Sequence, residues 1–184
     1  MKLVSGGVAT VWAVFGVIVV AAIFRLIPHP FNFTPIVAMA LFGGAYVENK
    51  RLATFVVFGA MFLSDLMLGF HSTMLVVYPS LFCIILAGRI LSNRRSALFG
   101  VAPILAPVTV ASSIFFFLTT NFGVWLLQDL YPKTLSGLGL CYVAALPFFQ
   151  NAIVGDLIYT GVLFGSIVLL ERSSLRHGVN DACS

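Results

Sequence analysis

Charge is what this chain lacks most. Of its 184 residues 9% are charged and 60% hydrophobic, with a mean hydropathy of +1.08, whereas a soluble domain carries roughly 25% charged and 45–50% apolar residues. This excludes an ordinary water-soluble domain and makes the lipid bilayer the first partner. Cysteine is scarce too: Cys83, Cys141 and Cys183 are odd in number and show no C-x-x-C spacing, which argues against a disulfide framework or a zinc site. A phosphate-cradling glycine loop is missing, because "GGAYVENK" lacks the P-loop spacing, so the chain would not hydrolyse ATP by itself. No Ser/His/Asp set or paired carboxylates stand at a diagnostic spacing, and ordinary hydrolytic catalysis is not expected. The formal net charge is +4, but no basic and aromatic patch accompanies it. Nucleic acid is therefore not an expected partner, and the positive charge reads first as a topology signal.

Long apolar runs are what the sequence has instead. Several approach or exceed the roughly 18 residues that cross hydrocarbon, which predicts helices rather than the short alternating segments of a β-barrel. The expected fold class is all-α, a polytopic membrane protein. Charged and proline-rich breaks divide it into six spans, at about Gly7–Leu26, Thr34–Val47, Leu52–Phe70, Leu75–Leu91, Leu98–Thr120 and Ala144–Leu170. One domain, residues 1–184, is expected, with a cytoplasmic tail from about 172 to 184. The first run has no small-residue cleavage site and reads as a retained helix.

The connections are unequal. "ENKR" and "LSNRRS" are short and basic, whereas "PHPFNFTP", "GFHSTM" and "NFGVWLLQDLYPKTLSGLGLCY" are aromatic, polar and rich in proline or glycine. With both termini cytoplasmic, Lys2, Lys50, Arg51, Arg89, Arg94, Arg95, Arg172 and Arg176 gather inside and only Arg25 and Lys133 lie outside, which is the orientation the positive-inside rule selects. The three unusual loops then all face outward. Irregular backbone near a membrane is tolerated only where protein buries it or water reaches it. An outward-facing cavity roofed by these loops is therefore expected, with the second span, shorter than hydrocarbon is thick, starting below the outer surface.

Candidate site residues follow from that geometry. Asp65 and Asp156 lie inside apolar spans, where an isolated carboxylate is expensive and so must face a cavity or a partner; structural hydrogen bonds within the bundle are the competing role. His29 and His71 fall in the first two outward loops, as loop anchors or as polar contacts to a ligand. Asn32, Phe33, Tyr78, Phe82, Asn121, Trp125, Tyr131, Tyr142 and Asn151 would supply the apolar walls and few polar groups of a small-molecule pocket, although an interfacial aromatic belt explains part of this set. Cys83 is either a small packing residue or a soft metal ligand. Ala9, Ala13 and Gly16 form an A-x-x-x-A-x-x-G stripe that allows close helix contact, inside the bundle or with another membrane protein.

"HPFNFTPIVAMALFGGAY", "FLSDLMLGFHSTM", "NFGVWL", "YPKTLSGLGLCYVAALPFFQN" and "GDLIYTGVLFG", spread from about Arg25 to Gly165, resemble S-components, the substrate-binding membrane subunits of energy-coupling factor (ECF) vitamin transporters, and are most similar to the solitary cobalamin (BtuM-like) branch. The resemblance implies a bacterial inner-membrane importer without an intrinsic cofactor, capturing a vitamin from the periplasmic side, with cobalamin the first expectation. It implies that Ala9, Ala13 and Gly16 face the coupling subunit of an ATP-driven module, unless the protein acts alone. It also implies Cys83 as a thiolate ligand to the corrin cobalt, able to displace an upper cyanide ligand. "YPS" stands where that ligand is expected, so Cys83 lies about a turn deeper than the pattern. An S-component for another vitamin, an assembly protein docking a partner through its outer loops, and a membrane enzyme using Asp65, Asp156 or the histidines are the alternatives.

Overall fold

The computed structural model describes residues 15–16, 18–20, 23–24, 32–47, 49–92 and 102–181. Its elements are α1 (Ile36–Tyr46), α2 (Lys50–Leu68), α3 (Met74–Ser92), α4 (Ala102–Leu127) and α5 (Leu135–Asp181); residues 15–16, 18–20 and 23–24 are helical as well. No strand occurs among the described residues. Among the described residues four helices hold stretches long and apolar enough to cross a membrane: Arg51–Leu68, Met74–Ser92, Pro103–Leu127 and Leu135–Leu169.

The short helix is the organising element. "IVAMALFGGAY" has no polar stripe, and a helix apolar on every face belongs in an interior; every residue from Ile36 to Ala45 is buried. Eleven residues rise about 16 Å, half the thickness of hydrocarbon. The segment before it is not helical: Asn32 sits at φ 61°, and Pro35, in the N-cap position, offers no side-chain cap. The helix stops at Val47, which turns extended while its N–H bonds the Gly43 carbonyl at 3.0 Å. Asn49 then starts α2, its side-chain oxygen accepting from the Arg51 and Leu52 N–H groups at 3.0 and 3.4 Å.

Small residues set how closely α1 and its neighbours approach. A Cβ on Gly44 would meet the Ile85 backbone, and one on Gly88 would meet the Leu41 carbonyl, so the two helices cross backbone to backbone. Helix α2 lays Ala53, Val57, Ala60, Met61 and Ser64 inward at helical spacing, and leaves Phe55, Leu63 and Met67 exposed, as a lipid-facing surface requires. Ile18, completely buried, closes the core from the first helical segment.

The last two helices differ from the sequence expectation. The stretch from Asn121 to Tyr142 reads as a long outer loop, yet α4 continues through Leu127 and α5 begins at Leu135. Asn121 stays helical because its amide bonds the Phe117 carbonyl one turn back at 2.8 Å, and Gly123 because Val76 packs where its side chain would be. The remaining connection is closed by its own groups. Trp125 Nε1 donates to the Pro132 carbonyl at 2.9 Å, Lys133 caps the Trp125 and Gln128 carbonyls at the end of α4, and Thr134 accepts from the Gly137 N–H at 3.1 Å. Helix α5 runs 47 residues, of which Leu135–Leu169, about 52 Å of helix, exceeds an average hydrocarbon thickness of about 30 Å; it must tilt or protrude.

Candidate functional site

The polar side chains buried in this bundle form a descending series. Antiparallel packing of α2, α3, α4 and α5 brings them to neighbouring levels. At the end carrying the α2–α3 and α4–α5 connections, Asp65, 1% exposed, accepts a hydrogen bond from the Tyr78 hydroxyl at 2.9 Å, and the Tyr78 ring stands edge-on to Phe58. One level further in, Ser80 Oγ meets Thr119 Oγ1 at 2.9 Å. Deeper again, Ser113 Oγ lies 2.6 Å from Asp156 Oδ2. Ser113 is fourteen residues from Leu127, the last residue of α4, about 21 Å along the helix axis. Both carboxyls are buried as the sequence requires, in surroundings where an unsatisfied charge costs several kcal/mol.

The deeper carboxyl adjoins the non-helical lead into α1. A Cβ on Gly155, the residue before Asp156, would touch the backbone and ring of Phe33 at 3.2–3.3 Å, and the Phe33 ring packs against Tyr159 at 5.5 Å. The same face of α5 continues with Thr160 and Phe164, the latter edge-on to Phe42 of α1. Broken backbone and a helix start without a side-chain cap therefore pack against α5 at the residue preceding a buried carboxyl.

The other expected site residues fall into separate groups. Asn121, Trp125, Tyr131 and Tyr142 collect on the α4–α5 hairpin, where Asn121, Trp125 and Tyr142 spend their polar atoms locally; the Tyr142 hydroxyl, for example, donates to the Leu118 carbonyl at 2.8 Å. His71 is exposed on the α2–α3 connection, with Nδ1 2.6 Å from Thr73 Oγ1. Phe82 and Cys83 point sideways. Cys83 is exposed in an apolar groove of about 300 Å³ between α3 and α4, with Ile84, Ala87, Val108 and Phe115 among its walls. Five residues separate it from Tyr78, about 140° around the helix, so it turns away from Asp65. Asn151 is half-buried on α5, and Asn32 is exposed. Gly16 is exposed and helical; Ala9, Ala13 and His29 lie outside the described residues.

Sequence reading missed the partner of Asp156 on α4. Thr109, Ser112 and Ser113 are all buried, and their spacing of three and four places them on one face. The signal was available: "TVASS" is the one hydroxyl-rich cluster in the first half of an otherwise apolar span. Among the described residues no group of three His, Cys, Asp or Glu side chains is placed to hold a metal ion.

Fold and site together define an all-helical membrane protein with carboxyls inside its bundle. The chain belongs to DUF6580, a family of unknown function whose model matches residues 8–177. Comparison with curated proteins and with solved structures returns no match.

Proposed function

We propose that this protein is a solute-capture subunit of a bacterial inner membrane, S-component-like, with six spans and both termini cytoplasmic, taking a vitamin-sized ligand from the periplasmic side for import. The observation that carries the proposal is the broken crossing: a half-length helix, buried on all sides, led in by the non-helical residues 32–35 that pack against α5 beside Asp156. Discontinuous helices of this kind, opposed to ionisable groups near mid-membrane, mark binding sites in transport proteins. A purely structural bundle needs neither.

Cobalamin is the first ligand to test. If Cys83 is a cobalt ligand, the corrin sits laterally in the α3–α4 groove; if the ligand sits under the outward connections, Asp65, Tyr78 and Phe33 receive it instead. Equilibrium binding of purified protein to corrinoids and a panel of other vitamins tests the proposal: retention of cobalamin supports the full reading, retention of another vitamin leaves the class and removes cobalamin, and failure with all of them removes the class. A docking role is the second reading. It is favoured by the self-satisfied α4–α5 connection, which presents Leu130 and Leu135 at 69% and 87% exposure. A stable periplasmic partner co-purifying in the absence of any bound solute selects it.

A further inference from the structure

We propose that Asp156, Ser113 and Thr160 form a binding site for a small monovalent cation, a proton or an alkali ion, inside the bundle. The site does not depend on which solute the protein captures. Ser113 is the only hydrogen-bonding partner of the Asp156 carboxyl among the described residues, and it reaches Oδ2, which leaves Oδ1 open. Ser113 has one hydroxyl hydrogen and two acceptors in reach, Asp156 Oδ2 at 2.6 Å and the Thr109 carbonyl at 3.0 Å. When that hydrogen turns to the backbone, as it does for Thr109 and Thr120 on the same helix, the Ser113 oxygen is a second acceptor facing the carboxyl. A proton shared between the two oxygens, or an alkali ion bound to both from the side, resolves the repulsion.

Thr160 supplies the independent observation. It is 1% exposed, and its hydroxyl oxygen has no hydrogen-bond partner, an arrangement that costs about 1–3 kcal/mol unless something binds there. It stands one turn beyond Asp156 on the same face of α5. The antiparallel register that pairs Asp156 with Ser113 sets Thr160 level with Thr109, another buried hydroxyl of α4. One carboxyl and two hydroxyl oxygens thus lie within a helical turn of one another on the facing sides of α4 and α5, and the Thr160 oxygen has no partner.

Among the described side chains no cation competes for this place. Helix α4 carries no ionisable side chain along its length, and α1 contributes only Tyr46. On α5 the nearest titratable neighbour is Tyr159, turned toward Phe33. Arg89 of α3 and Arg51 of α2, the described guanidinium groups whose side chains are placed, form no ion pair with Asp156. The Ser80–Thr119 and Asp65–Tyr78 pairs stand at levels between the site and the end carrying the α4–α5 connection.

The test is ligand-free. Full-length protein in detergent is melted in sodium, potassium and choline chloride at constant ionic strength, and separately across pH in choline. A cation that binds only the folded state raises the melting temperature, by about 5–10 °C at a hundredfold excess over its Kd. Such a rise with sodium, potassium or acid identifies the ion, and its loss in Asp156→Asn and in Thr160→Val supports the site. If Asp156→Asn does not fold, Thr160→Val carries the test alone. A merely orphaned hydroxyl predicts that Thr160→Val is at least as stable as the parent and retains the full cation effect. That outcome overturns the proposal, as does a parent protein indifferent to all three ions.

Discussion

A methyl group added at Gly44 tests the position of α1 most sharply. The new Cβ lands against the Ile85 peptide, with the carbonyl oxygen closest, the carbonyl carbon 2.8 Å and the Cα 3.1 Å away. All three obstacles are backbone, so no side-chain rotation relieves the clash, and the helices must part until ordinary carbon contacts of about 3.5 Å are restored. Overpacking of this kind destabilises by about 1–3 kcal/mol, against a gain of up to about 1 kcal/mol from replacing glycine in a helix. For a chain of this length a net loss of about 1–2 kcal/mol lowers the melting temperature by about 2–8 °C. Gly59→Ala in α2 is the matched control: nothing lies within 4 Å of its added Cβ, so only the helix-propensity gain operates and the melting temperature holds or rises by a few degrees. Gly44→Ala and Gly88→Ala strain the same crossing, and their double variant should lose less than the sum of the two. The assay is loss of monodisperse protein after heating in detergent. If Gly44→Ala proves as stable as Gly59→Ala, α1 does not cross α3 backbone to backbone and is misplaced at the centre.

Further outcomes follow from the same contacts. Tyr78→Phe removes the hydroxyl that bonds Asp65 and should destabilise by about 1–3 kcal/mol, read in the same melting assay, while Phe58→Leu, which keeps the hydroxyl, should cost less than Tyr78→Phe. Lys133→Met leaves the Trp125 and Gln128 carbonyls to water at the end of α4; the group is 43% exposed, so the loss should stay below about 1 kcal/mol and shrink in high salt. Cys83→Ser, at an exposed position, should leave the melting temperature within a degree or two. If Cys83 ligates cobalt, the same variant should lose the thiolate-dependent absorbance of bound corrinoid.

The sequence located the first half of the described fold well because punctuation and periodicity agreed there. Pro35, the "ENK" break and the "GFHST" connection bound α1, α2 and α3 within two residues of where the apolar runs predicted. The α4–α5 hairpin was obscured because Asn121, Gly123, Gly137 and Gly139 read as loop formers, while in the fold Asn121 bonds back within its helix and Gly123 and Gly137 serve close approaches. Burial of Asp65 and Asp156 was legible from their apolar settings, and their partners were not. Tyr78 read as an aromatic wall and Ser113 as ordinary helix, since a hydrogen bond across 43 residues depends on helix register that no single segment encodes. Cys83 shows the converse: its sequence neighbourhood placed it near the expected pocket, and only its angular position around α3 shows that it opens sideways.

The central claim is that water from the periplasmic side reaches the broken lead into α1 deep in the bundle. With Cys83, Cys141 and Cys183 replaced by Ser, Phe33→Cys is treated in intact cells with a charged, membrane-impermeant maleimide, with Phe55→Cys on the lipid-facing side of α2 as the comparison. Labelling of the residue-33 thiol, slowed by a bound vitamin and absent at residue 55, is the predicted result. A residue-33 thiol that stays unreactive in folded protein and reacts only after unfolding would mean a dry, filled bundle with no chamber for a solute.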